Sequence, residues 1–489
     1  QPLLEDIDWQ ALGDEGVVLR RRGDRLVLAG ASSRGTLYAV YEWLEQHLGI
    51  RWLTPDCTYM PRHERLAVDH LDTRLRPGYR MRDQNYMPAH AATWAARNRL
   101  NGQFPPLGPE HGGQWRFARH FVHTFYALVP PPQHYDRHPE YFSLVNGERL
   151  RSGGQLCLSN ADVLDLVCEA VTDWLEQAPD ARLVSISQND WYGACTCPAC
   201  HAIDEAEGSH SGTMVRFVNA VAERLEPRFP DVLFSTLAYT YTVQPPRHVR
   251  PRRNVVIYLC HMGGCDSHPI DRCEINRPFM DQIAGWGAIS PEVFVWDYYN
   301  NFHRYFQPYP NIDAIPPDRP IVSEAGVTGF FAQGDAGPRK GPGDMAELRA
   351  WLLARLAWNP SLDAWEQVDE FCRLYYGPAA PMIREHLDAL HEPARHPDVH
   401  VKLYDPADVP YVASAVIDRC ESILDRAAVA VADDPVLAER VASARLPIEL
   451  MQWSGQLRYE LTDSAFAPRA GAPLDRAVRF FALAEARGA

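Results

Sequence analysis

Between Leu183 and Cys200 the chain reads LVSISQNDWYGACTCPAC, and three kinds of chemically useful side chain meet in this stretch. Asn189 and Asp190 set an amide beside a carboxylate, Trp191 and Tyr192 follow at once, and Cys195, Cys197 and Cys200 form a Cys-x-Cys-x-x-Cys loop. A carboxylic acid next to an amide and flanked by rings is equipment for protonating a leaving group on a sugar. The competing reading is that Asp190 caps the next helix or turn. The three thiols could hold a structural zinc with a fourth ligand such as His201, Cys260 or His261. Without a second nearby pair the zinc signature is incomplete. A disulfide between two of the thiols would pin the same loop beside Asp190.

The elements that position these residues follow from periodicity. Leu183–Ile186 is apolar and rich in β-branched residues, which predicts a buried strand with Asn189 and Asp190 at its carboxyl end. Further strand-like segments are Tyr79–Asn85, Phe121–Phe125, Gln155–Ser159, Val232–Tyr239, Val255–His261, Val293–Tyr298 and Pro320–Glu324. Helical spacing separates them at Ala161–Gln177, Thr213–Arg228 and Arg277–Ala288. Eight strands with helical crossovers predict an α/β fold, a (β/α)8 TIM-like barrel, with Asn189-Asp190 ending strand four on the face where such barrels assemble active sites.

Other strand ends supply further candidates. Asp297, in Trp296-Asp297-Tyr298, and Glu324 are the rival acids, Asp297 because aromatic walls would desolvate its carboxyl and raise its pKa. Tyr239 could hydrogen-bond a substrate carbonyl, Arg82 and Asp83 could clamp sugar hydroxyls, and His123 could contact them too. Trp191, Trp296 and Tyr298 are candidate stacking platforms. Each has a plainer alternative: a loop hydrogen bond for Asp297, a structural place for Glu324, a salt bridge for Arg82 and Asp83, and core packing for His123 and the aromatics.

Around the barrel the pattern predicts two more units. Residues 1–75 read as a small α/β domain, with a hairpin over Gly16–Ala29 and an amphipathic helix over Gly35–Leu48 that faces inward through Leu37, Val40, Tyr41, Leu44 and Leu48. Residues 76–345 form the expected barrel. Residues 346–489 show helical spacing at Met345–Trp358, Ala364–Tyr375, Ala380–Leu390, Val412–Val431 and Pro435–Thr462, which predicts a helical domain packed on the barrel.

A formal net charge of −15 argues against a nucleic-acid partner. The basic triplet Arg20–Arg22 reads as a solvated strand face. No apolar run approaches the ~18 residues of a membrane span. Thirteen Trp and 21 Tyr suit contacts to sugar rings. Eleven Cys, an odd number, require at least one thiol without a partner in the chain. The chain opens at Gln1 without Met or signal peptide, which reads as a processed or trimmed form.

Several segments in order resemble a known family. RGTLYAVYEWLEQHLGIRWLTPD (Arg34 to Asp56) resembles the small α/β domain that precedes the barrel in β-hexosaminidases and α-glucuronidases. HPEYFSLVNGERL (His138 to Leu150), QLCLSNADV (Gln155 to Val163), SISQNDWYGACTCPAC, FVNAVAERL, LAYTYTVQPP (Leu237 to Pro246), VWDYY (Val295 to Tyr299) and EFCRLYYGPAA (Glu370 to Ala380) resemble glycoside hydrolase family 163, also described as DUF4838. The resemblance implies a retaining endo-β-N-acetylglucosaminidase that cuts between the two core GlcNAc residues of complex-type N-glycans, with the substrate's 2-acetamido group as nucleophile. It implies no cofactor, a glycoprotein oligosaccharide as partner, and a periplasmic or secreted bacterial location. Related barrels carry Asp-Glu or Asn-Glu at this strand end. Asn189-Asp190 is one methylene shorter, so Asp190 is either the general acid, with Asn189 orienting the acetamido group, or the orienting group itself. The alternatives are an exo-acting glycosidase of the β-hexosaminidase or α-glucuronidase type, and a carbohydrate-binding barrel without catalysis.

Overall fold

The computed structural model describes residues 3–66, 68, 70–335 and 343–456, with short pieces beyond at 459–461, 466–468, 478, 480–482 and 484–485. Near the amino end, β1 (Val17–Arg22), β2 (Arg25–Gly30) and β3 (Asp72–Leu75) form an antiparallel sheet in the order β2-β1-β3. Gly23 makes the β1–β2 turn in a left-handed conformation (φ 61°), as the hairpin pattern predicts. Arg20 is not solvated. It is 1% exposed and held by Asp6 and Asp72, because a neutralised guanidinium can be buried.

The helix Ser33–Gln46 packs on this sheet through Tyr38, Ala39 and Trp43, whereas Val40 is exposed. Of the expected face, Tyr41, Leu44 and Leu48 do pack against this cluster, and Val40 does not. Glu42 and Glu45 are drawn to the buried side by Arg99 and Arg355, a pairing that apolar periodicity does not register.

Six parallel strands make the central sheet: β4 (Met81–Gln84), β5 (Leu183–Ser185), β6 (Leu233–Ala238), β7 (Val255–Cys260), β8 (Val293–Tyr298) and β9 (Val327–Gln333). Their order is β4-β9-β8-β7-β6-β5. The gap between β4 and β5 is spanned by irregular backbone. The amides of Asn101 and Gly102 donate to the Arg82 carbonyl, Trp115 N donates to Asn101 O, and Arg182 N and Leu183 N donate to Arg116 O. Phe117 also bridges Leu183 in parallel. The two bridging segments, around Asn101–Gly102 and Trp115–Phe117, are not the strands expected between β4 and β5.

Alternation explains the packing. Val256, Tyr258 and Cys260 face the barrel interior with Met81, Phe117, Leu183, Phe294 and Phe331, while Val255, Ile257 and Leu259 face the surrounding helices. Fully apolar strands of this kind belong to sheets covered on both faces.

Three expected strands are corrected. Phe121–Phe125 is a loop that runs into a short helix at Phe125–Leu128, because the hydroxyl of Thr124 takes up the backbone of the neighbouring strand end, donating to Ser185 O and accepting from Ser187 N. Gln155–Ser159 keeps only one bridge, Leu156 to Phe142, and its Gln155 side chain bonds the chain around Asn189 instead. Pro320–Glu324 lies in a helix, Ile315–Glu324, and the eighth strand is Val327–Gln333. Two prolines at the first turn of that helix suit an α-helical start.

Beyond the sheet, helices at Ala346–Trp358, Ala364–Tyr375, Ala380–Ala394, Ser414–Ala430 and Pro435–Gln456 follow the apolar periodicity and pack on one another in sequence. Of the helix expected to reach Thr462, residues 457, 458 and 462 lie outside the described residues, and Tyr459–Leu461 is a strand. No helix among the described residues is long and apolar enough to cross a membrane.

Candidate active site

The carboxyl ends of the strands open on a cavity of about 270 Å³. Its walls are His123, Asp190, Leu237, Tyr239, Cys260, Trp296, Tyr298 and Gln333, joined by Val122, Met262, Phe302 and Tyr404 from the loops above. Leu237 and Tyr239 are two apart on one strand line, as are Trp296 and Tyr298, so each pair points the same way.

Asp190 stands at the rim with its side chain 61% exposed. Tyr239 Oη donates to Asp190 Oδ1 at 3.0 Å, and His123 Nε2 lies 3.8 Å from the same oxygen. Burial and the adjacent Asp190 charge push the Tyr239 phenol well up, so it remains a hydrogen-bond donor. His123 adopts φ 57°, and its Nδ1 is 2.8 Å from Gln188 O while its backbone amide donates to Ser187 Oγ. A carbonyl only accepts, so Nδ1 carries a proton and Nε2 is the ring nitrogen on the Asp190 side.

Asn189 is turned away from the cavity. Its Nδ2 donates to Gly154 O at 3.0 Å and its Oδ1 accepts from Tyr126 N at 3.3 Å. Trp191 is likewise directed backwards, its indole N–H donating to Gly154 O and its ring edge-on to Tyr126. Gln155 completes this splint, accepting from Asn189 N and donating to the carbonyls of Asn189 and Trp191. Asn189 and Trp191 therefore position Asp190 and do not line the cavity.

Trp296 and Tyr298 do line it. The Trp296 ring stacks on Phe121 at 5.2 Å, and its N–H donates to Gln333 Oε1 at 2.7 Å. Asp297, between them, points the other way and is buried. Its carboxylate is 3.1 Å from His261 Nδ1 and accepts from Tyr298 N and from Tyr299 Oη. Asp266 joins this cluster through His261, and burial pushes its carboxyl up to about 7.

Glu324 is exposed at the end of its helix, before the first residue of β9, so it lies at the opposite end of the barrel. The misplaced eighth strand accounts for this correction. Arg82 is fully buried and bonds Glu15, Tyr79 O and Arg99 O, tying the amino-terminal unit to the barrel. Asp83 accepts from the amides of Gln84, Gln103 and Phe104 and so fixes the first bridging segment. Neither lines the cavity, and the salt bridge that Arg82 makes is to Glu15, not to Asp83.

The cysteine loop gains a fourth member. Cys157, from the segment Gln155–Ser159, joins Cys195, Cys197 and Cys200, with the four sulfurs within 4.8 Å of one another. None of the expected fourth ligands takes that place. His201 is exposed beside Glu205, Cys260 lies inside the barrel, and His261 belongs to the Asp297 cluster. All eleven cysteines are free thiols, so the alternative disulfide does not form. Gln333, Phe302, Met262 and Tyr404 are cavity residues that sequence reasoning missed. For Gln333 the signal existed in the run VTGFFAQ, while Tyr404 arrives from a distant segment without periodicity.

A larger cavity, about 840 Å³, lies at the other end of the barrel, between Arg34, Glu15, Arg80, Arg182 and Thr328. It opens at the amino ends of the strands, where conservation of such barrels serves stability, whereas their chemistry is housed at the carboxyl ends.

A family model described as a domain of unknown function, DUF4838, matches residues 52–388. The chain belongs to the DUF4838 family. In this DUF4838 chain the matched residues take in all six parallel strands, His123, Asp190 and Tyr239, and end before Tyr404. No curated protein matches. Among solved structures, a family GH115 4-O-methyl-α-glucuronidase with specificity for decorated arabinogalactans is 12% identical, with a TM-score of 0.54 over 93% of this chain and 65% of its own. A family 89 glycoside hydrolase from Clostridium perfringens is 9% identical, with a TM-score of 0.54 over 91% of this chain and 58% of its own. The DUF4838 chain shares the fold of these glycoside hydrolases and spans about three-fifths of their length.

Proposed function

We propose that the chain is a retaining endo-β-N-acetylglucosaminidase of glycoside hydrolase family 163, cutting the GlcNAc–GlcNAc core of complex-type N-glycans with the 2-acetamido group as nucleophile. The observation that carries this reading is the carboxylate inventory of the carboxyl-end cavity. Among the described residues, Asp190 alone supplies a carboxylate to its lining, and Tyr239 Oη lies 3.0 Å from it. The usual retaining scheme needs two enzyme carboxylates, one of them the nucleophile. Substrate assistance needs one acid/base and a donor for the acetamido oxygen, which this pair can supply.

In the proposed reaction, Asp190 in its acid form protonates the glycosidic oxygen as the acetamido carbonyl oxygen attacks C1. Tyr239 turns its hydroxyl from Asp190 to that carbonyl oxygen and holds it in line. The resulting oxazolinium is opened by water that Asp190, now a carboxylate, deprotonates, so the configuration at C1 is retained. Trp296 and Tyr298 offer ring faces for the sugars, and His123 offers Nε2 to a sugar hydroxyl. Support for a 2-acetamido sugar comes from the family 89 hydrolase of similar fold, which was solved with PUGNAc and with GlcNAc-α-1,4-galactose. A substrate of this kind fits a periplasmic or secreted enzyme.

Incubation with a glycoprotein bearing complex glycans tests the proposal. The expected products are intact glycans with one GlcNAc at the reducing end and protein that keeps the other. Release of monosaccharides alone would replace the endo reading by an exo-acting one, and no release, with glycan binding kept, would leave a binding barrel.

A further inference from the structure

Besides the group His261, Asp266 and Asp297, two cysteine-containing clusters of metal-ligating side chains stand outside the cavity lining, and the proposed reaction uses neither. The first is the tetrad Cys157, Cys195, Cys197 and Cys200. The second is Cys265, His268, Cys273 and His400, whose ligand atoms also lie within 4.8 Å of one another. We propose that both are structural zinc sites, one with four thiolates and one with two thiolates and two imidazoles.

The spacing of the ligand atoms is the first argument. Zinc takes tetrahedral sets with Zn–S near 2.3 Å and Zn–N near 2.0–2.1 Å, which places neighbouring ligand atoms about 3.5–3.8 Å apart. Cys157 Sγ is 3.6 Å from Cys197 Sγ. In the second cluster, Cys265 Sγ is 3.3 Å from His268 Nδ1 and 3.2 Å from His400 Nδ1, and Cys273 Sγ is 3.8 Å from His400 Nδ1. The one sulfur–sulfur separation, Cys157 to Cys197, is far too long for an S–S bond, and all four separations suit ligands gathered around a shared ion.

The surroundings of the thiolates are the second argument. Four thiolates on one zinc leave a net negative charge, which hydrogen-bond donors and cations must offset. Leu144 N donates to Cys195 Sγ at 3.4 Å, Arg149 Nη1 lies 3.8 Å from the same sulfur, and Ser159 Oγ lies 3.1 Å from Cys200 Sγ. The second set, with two thiolates and two imidazoles, is neutral when loaded.

Connectivity says what the ions would do. The four-thiolate site ties the loop after β5, which carries Asp190, to the Cys157 segment next to Gln155. The mixed site ties the loop after β7 to His400, which lies beyond the helix Ala380–Ala394. Met262 and Tyr404 line the cavity from those two segments. Each ion therefore braces a segment that carries one wall of the cavity.

The test is metal analysis of the full chain, purified under reducing conditions without chelator. Two zinc ions per chain are expected, with an X-ray absorption shell averaging three sulfurs and one nitrogen per zinc over the two ligand sets. Replacing zinc by Co(II) should give the visible bands of tetrahedral cobalt with thiolate charge transfer. Cys197→Ser and His400→Ala should each lose one ion and keep the other. Where a variant fails to fold, the wild-type stoichiometry and absorption shell still decide. One ion in an all-sulfur shell would overturn the mixed site. A chain that holds less than half an equivalent of zinc and takes up no Co(II) when reduced would overturn both, as would thiol counting that finds these cysteines paired.

Discussion

Asp190 and Asp297 both stand at carboxyl ends of strands in the same barrel, and their surroundings assign them opposite work. Asp190 is 61% exposed and shares one oxygen between Tyr239 and the approach of His123, leaving the rest of its carboxyl open to the cavity. Asp297 is 12% exposed, and its oxygens are held by His261, Tyr299 and its own neighbour's amide. Its aromatic neighbours make Asp297 a rival for the part of the acid. Direction decides otherwise, because an acid must reach the proton's destination before its pKa matters. A strand places successive side chains on opposite faces, so Trp296 and Tyr298 enter the cavity and Asp297 cannot.

The largest effect that would break this contrast is in Asp190→Asn. Removing a positioned general acid/base should lower kcat by about 10²–10⁴-fold. The urea midpoint should hardly move, since exposed substitutions of this kind cost about 0.5 kcal/mol or less. Near-full turnover would end the role assigned to Asp190.

Tyr239→Phe comes next. It deletes the hydrogen bond that holds the acetamido carbonyl oxygen in line, worth about 0.5–1.5 kcal/mol, so kcat should fall about 2–10-fold. Binding of a product glycan, measured by calorimetry, should change much less.

Asp297→Asn should show the reverse pattern. Donors from His261 and Tyr299 lose a charged acceptor inside the protein, a loss of about 1–3 kcal/mol in folding free energy. The folded variant should turn over within a few-fold of wild type, as steady-state kinetics would show. A kcat loss equal to that of Asp190→Asn would erase the distinction between the two aspartates.

The smallest effect concerns how an acid-limb pH profile is read. His386 and His391 are buried in the helix Ala380–Ala394, and burial pushes both down to about 4. His391 Nε2 accepts from Ile312 N, so a proton there would cost that bond as well. A depressed folded pKa means the stabilising contribution is present above the unfolded value near 6.5 and is lost as pH falls toward 4. Thermal midpoints should therefore decline over that window, and activity lost there should return on neutralisation. His391→Gln should flatten the decline.

The legibility of these features in the sequence followed the physics of each. Strands buried on both faces, such as Val255–Cys260, announce themselves as apolar runs, and so does Leu183–Ser185, the strand that leads to Asp190. The two segments that span the gap between β4 and β5 are irregular, held by Asp83 and single carbonyls, and no periodicity marks them. The eighth strand was missed because IVSE looks β-like, although the preceding prolines start a helix. The direction in which Asn189 points, the partner of three cysteines found at Cys157, and the wall residue Tyr404 all depend on contacts between distant segments, which local spacing does not encode.

The most direct test of the central claim is a crystal structure of the protein with a GlcNAc-thiazoline inhibitor, which mimics the cyclised acetamido intermediate. The account predicts the sugar in the carboxyl-end cavity, with Tyr239 Oη within hydrogen-bond reach of the thiazoline ring and Asp190 as the carboxyl nearest the position of the glycosidic oxygen. Inhibitor bound in the cavity at the amino end of the strands, or with Asp297 as its nearest carboxylate, would contradict it.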